Sequence, residues 1–135
     1  MTSRNIHGLW TMSFSEQTLF SKLTGPTNRE AGDAWFEDMK QNILTSQNGD
    51  NLPWVSINDC RNWDMSSLDS WETNNTTVEW MYEHNCVLLT IVFSKKIHRY
   101  AFEKGLNDQH IVRFFYDYDE AYQACQDKLN SSLQF

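Results

Sequence analysis

The residues best placed to do chemistry cluster near the middle of the chain, in the loop expected after the apolar run Trp54-Val55-Ser56-Ile57. Asp59 and Asp64 supply carboxylates there, and Ser66 and Ser67 supply hydroxyls. Two loop acids can hold a divalent cation or orient a hydroxyl, because magnesium keeps its waters and asks for only one or two carboxylates. Acids on a solvated loop equally need no role at all. The serines precede a segment of helical spacing, which makes both phosphoacceptor candidates: free amides and the helix dipole favour phosphate at a helix N-terminus. The plainer alternative is an N-cap, with Asp69 completing a Ser-x-x-Asp box, and serine is among the commonest caps.

Other catalytic or metal-binding patterns are weaker. His84 and Cys86 are two soft ligands, but zinc needs four, or three and a water. His7, His98 and His110 are scattered. Cys60, Cys86 and Cys125 sit on apolar stripes or strand edges and read as small core residues. No glycine-rich phosphate loop, G-x-S-x-G elbow or HExxH motif occurs. The expectation is a protein that is not an enzyme, with no catalytic residue, metal site or cofactor; the rival class is an enzyme or a phospho-switched regulator, which would require chemistry at Asp59 to Ser67.

Aromatic and basic residues carry more information. The chain holds six Trp, five Tyr and eight Phe, more than a core of this size needs, so some are expected at a groove or a partner surface. Trp71, Val78 and Tyr82 recur at near-helical spacing and form the expected inner face of a central helix, while Trp80 lies off that face. Close behind comes the one basic cluster of note, Lys95, Lys96, His98 and Arg99, beside Tyr100. Trp71, Trp80 and the Lys95–Tyr100 segment are therefore expected to form a site for a small apolar or anionic ligand, or a homodimer contact. The basic residues would hold a carboxylate or phosphate. Core packing plus a solvated basic turn is the competing expectation.

Composition narrows the classes. A chain of 135 residues with 40% hydrophobic content fits one globular domain, residues 1–135. Eleven basic residues against 18 acidic ones leave a net charge of −7, which disfavours nucleic acid and anionic membrane surfaces. No apolar run approaches the ~20 residues of a membrane span, and the N-terminus lacks the apolar run of a secretion signal. With an odd number of cysteines, this points to a cytoplasmic protein with reduced thiols.

The elements that must position these residues follow from periodicity. His7–Ser13 and Thr18–Thr24 read as a hairpin about Glu16-Gln17, with Gly25-Pro26 expected to stop the second strand. Thr27-Asn28-Arg29-Glu30 reads as a capping box with Thr27 as cap. It opens a helix with Ala31, Trp35, Met39 and Ile43 on one face. A strand over Trp54–Asn58, the helix carrying Trp71, and a strand over Val87–Phe93 form a crossover unit. A helix stopped by Gly105, a strand Ile111–Tyr116 and a helix opened by Asp117 complete the order, with a frayed tail from Asn130. The expected class is α/β: a mixed, mostly parallel sheet of about five strands, with an N-terminal hairpin and about four helices.

That order, with WVSINDCRNWDMSSLDSW, NCVLLTIVF and FFYDYDEAYQAC, resembles the STAS domains, most closely the bacterial anti-sigma-factor antagonists of the stage II sporulation protein AA-like group. The resemblance implies a regulatory domain that binds a protein partner, with a loop serine phosphorylated by a partner kinase. Asp59 matches the family's acidic strand end, and Asp64, Ser66, Ser67 and Leu68 fall near its D-S-S-G-L motif. Met65 intervenes and Asp69 stands where no glycine has appeared. A looser branch of the family resembles lipid-carrier domains and implies a small ligand.

Overall fold

The protein, seen in a computed structural model, is described over residues 9–65, 71–107 and 110–133. Strands β1 (Leu9–Ser15) and β2 (Thr18–Thr27) pair antiparallel about Glu16 and Gln17. Both turn residues take positive φ, 52° and 60°, the twist-matched geometry of two-residue hairpins. Helix α1 (Arg29–Gln47) follows, then β3 (Trp54–Met65), α2 (Trp71–Glu83), β4 (Cys86–Val92), α3 (Lys96–Gly105), β5 (Val112–Phe115) and α4 (Tyr118–Ser132). The strands form one sheet in the order β1-β2-β3-β4-β5, parallel from β2 onward. The α/β class, the hairpin and the central place of β4 are as the sequence implies.

Alternation along the strands sorts the core into two layers. Trp54, Cys60, Leu89, Ile91 and Phe93 pack with Trp35, Met39 and Ile43 of α1, Met81 of α2 and Phe102 of α3. Val55, Ile57, Leu88 and Val92 face the other way, onto Ala121, Cys125 and Leu129 of α4.

Several local expectations need correction. Gly25-Pro26 does not end β2, which pairs with β3 as far as Thr27↔Met65. Among the described residues, pairing with β1 reaches Leu9↔Thr24, and beyond it Gly25 and Pro26 continue the pairing with β3 alone. The helix cap is Asn28, whose side chain accepts from the Ala31 N–H at 3.0 Å. Thr27 is still strand, and its Oγ1 accepts from the Trp63 indole at 2.8 Å. Gly105 is not left-handed: α3 closes with the Leu106 N–H on the Phe102 carbonyl, 3.1 Å away. Helix α4 continues past Asn130 to Ser132, carried by its buried Leu129.

Removing the Asn28 cap, as Asn28→Ala, is expected to lower the unfolding free energy by about 1 kcal/mol. Urea denaturation reads this directly, and an unchanged midpoint would return the cap to Thr27.

Candidate ligand cavity

The acidic residues of the expected loop turn out to belong to a strand. β3 carries one more residue than β2 where the register passes from Lys22↔Asp59 to Thr24↔Asn62. Such a bulge kinks the strand and re-aims its side chains. It also explains why Cys60 and Trp63, an odd number of residues apart, share the α1–α3 face. Asp59 is 5% exposed and its carboxylate stitches the bulge. It accepts from the Arg61 backbone N–H at 3.1 Å and from the Arg61 guanidinium at 2.9 and 2.8 Å. Burial pushes the Asp59 pKa up, but the Arg61 hydrogen bonds and the charges of Arg61 and Lys22 outweigh it and hold the group below the usual aspartate value. Asp64 is exposed in β3, opposite Pro26. Ser66 and Ser67 lie outside the described residues, as does the side chain of Trp71.

Helix α2 buries a different face from the one its aromatics suggest. Thr73, Thr77 and Met81 point inward at steps of four, and Tyr82 is 55% exposed. The threonines are tolerated there because their hydroxyls are satisfied. Thr73 Oγ1 donates to Asp33 of α1 at 2.9 Å and Thr77 Oγ1 to the Thr73 carbonyl at 2.8 Å. Trp80 is half-buried against α1, edge-on to Phe36, and stacks on His84 at 3.9 Å.

The Lys95–Tyr100 segment lies elsewhere. Lys95, Lys96 and Tyr100 are exposed, and Ile97 is 70% exposed. Arg99 turns to β5, bonding Glu103 at 2.9 Å and lying over the rings of Phe114 and Tyr116. His98 tilts toward Trp63, and its Nδ1 is buried with no hydrogen-bond partner among the described residues. Among the described residues, Trp80 and the basic segment thus make their contacts with different elements.

What the sequence did not locate is a cavity of about 90 Å³ between the sheet and helices α1, α2 and α3. A single water needs roughly 10–15 Å³, so the space holds several. Its walls are mainly apolar, with Leu23, Trp63, Met81, Leu89, Ile91 and Phe102 among them, and Asn58 is set into the sheet floor. Period two in Trp54, Ser56, Asn58 and Cys60 was the available signal, because it puts a carboxamide on the inner face of an otherwise apolar strand. Cys60 also lines the cavity. Burial, then the Asp59 charge, push its thiol far up, so it stays neutral and unreactive. Among the described residues no cluster of three or more His, Cys, Asp and Glu could hold a metal, and no helix is long and apolar enough to cross a membrane.

Arg61→Met leaves the buried Asp59 carboxylate without its partner. With the guanidinium 44% exposed, screening limits the expected loss to about 1–3 kcal/mol at pH 7. A depressed folded pKa stabilises above the ordinary aspartate value near 3.9 and loses that contribution as pH falls through the folded one. The gap between native and variant stability should therefore shrink at acid pH. A gap that stayed constant in urea titrations down to pH 3 would contradict the assigned role.

No family model matches the chain, and no curated protein does. Several solved structures share its architecture, among them these two. One is an uncharacterised DUF3478-family protein with a SpoIIAA-like fold from Shewanella loihica PV-4. It is 18% identical over 93% of this chain and 98% of that one, with a TM-score of 0.58. The other is an anti-sigma factor antagonist from Mycobacterium paratuberculosis, 11% identical over 94% of this chain and 100% of that one, with a TM-score of 0.59. The hairpin-led, mostly parallel five-stranded sheet with the four helices of the described residues is thus a SpoIIAA-like fold.

Proposed function

We propose that this protein is a non-enzymatic, STAS-like regulatory domain that takes up a small apolar ligand between its sheet and helices α1–α3. The cavity carries this reading: a space several waters wide with mainly apolar walls is poor for water and good for an apolar guest. An anionic ligand fits it badly, because no lysine, arginine or histidine is among the described lining residues. The buried, neutral thiols suit a reduced, cytoplasmic setting.

Docking of a protein partner is a second reading, favoured by the outer face of α3. Ile97 and Tyr100 stand exposed there beside Lys95 and Lys96, on a chain that is acidic overall. An apolar pair ringed by lysines suits an acidic partner surface. The two readings are compatible, since α3 also supplies Phe102 to the cavity wall.

Toluene is a suitable probe for the first reading. At ten times its Kd the stabilisation should be about 1.4 kcal/mol, a rise of about 3–6 °C in Tm for a domain near this size. Val78→Phe, which fills the cavity from α2, should abolish the shift. No shift in the native protein, or an equal shift in Val78→Phe, would remove this function.

A further inference from the structure

We propose that the cavity's guest is a neutral hydrophobic molecule, about one ring in size, carrying a single hydroxyl that Asn58 recognises. This rests on the ligand-binding reading above and specifies what that ligand must be. Asn58 is 8% exposed, and its Oδ1 is buried without a hydrogen-bond partner among the described residues. A polar atom left so in an apolar interior is a cost that native proteins rarely carry unanswered. Three of the lining side chains that could donate are committed elsewhere. The Trp35 indole donates to Ser21 at 2.9 Å, the Trp63 indole to Thr27 at 2.8 Å, and the Thr77 hydroxyl to the Thr73 carbonyl.

A guest in the cavity supplies the donor that Oδ1 lacks. A hydroxyl both donates and accepts, so it can serve Oδ1 and also meet Nδ2 if the amide turns about its last torsion. A charged group would be unpaired, because no ionisable Asp, Glu, Lys, Arg or His side chain is among the described lining residues. The volume of about 90 Å³ is smaller than the ~150 Å³ cavity that binds benzene, so it suits a short alcohol as it stands and a phenol once its walls give slightly.

Phenol and toluene are nearly isosteric and separate the two properties. Their affinities would be measured by calorimetry for the native protein and for Asn58→Val, which removes the amide with a smaller change in volume than leucine would bring. The phenol-to-toluene affinity ratio is expected to fall at least about tenfold in the variant, the loss of one buried hydrogen bond. In the native protein alone, phenol and not toluene should shift the Asn58 side-chain amide resonances, a readout that stands even if the variant fails to fold. Binding of both probes with an unchanged ratio, or with no amide shift, would overturn the hydroxyl inference while leaving an apolar ligand site. Binding of neither would overturn both.

Discussion

The inner face of α2 sets the character of this molecule. A crossover helix over a parallel sheet normally buries large aliphatic side chains, and their bulk closes the space between the layers. Here, among the described residues, the buried positions are Thr73, Thr77 and Met81, with Asn74 and Val78 also facing the space. The threonines stay because Thr73 reaches Asp33 of the neighbouring helix and Thr77 bonds back to its own backbone. Small side chains held this way fix the spacing of α2 from α1 and the sheet without filling it. Ala31 and Gly32 on α1 are equally small where they face the same space. The cavity is thus written into residue size, and Trp35, Trp63 and Phe102 wall it rather than plug it.

A second constraint acts at the end of β3. The bulge there turns Trp63 inward to close one side of the cavity, and the Asp59–Arg61 pair holds the bulge in place. Asp59 therefore serves the site indirectly. Its carboxylate is fully engaged by one guanidinium and one amide, which leaves it poorly suited to metal binding or proton transfer. The same economy runs through the indoles: Trp10, Trp35, Trp54 and Trp63 each donate to a protein acceptor. Against that background the oxygen of Asn58, like Ser56 Oγ and His98 Nδ1, is unanswered among the described residues, and Asn58 is the one of these three that lines the cavity.

Much of the fold was legible because it rests on period and punctuation. The Glu16-Gln17 turn, the four-residue steps of α1 and α4, and the continuous apolar run of β4 all report local structure. The site was less legible, because it depends on which residues are small. Aromatic spacing pointed to Tyr82, yet Met81 one position away is the buried residue, since satisfied threonines can face a core that hydropathy alone denies them. The strand beyond Asp59 was hidden by its polar letters and by Gly25-Pro26 in its partner. Asn58 lay in plain view inside WVSIND, but its importance appears only once its neighbours' hydrogen bonds are assigned.

The central claim is that the space under α2 is a real, mainly apolar cavity that accepts a guest. A crystal structure of the protein under xenon pressure tests this most directly, since xenon enters dry apolar cavities and brings no polar group of its own. The expected result is a xenon atom in contact with Trp63, Met81 and Phe102, with the helices unmoved. A space collapsed by inward movement of α2, or filled by ordered waters that xenon does not displace, would contradict it.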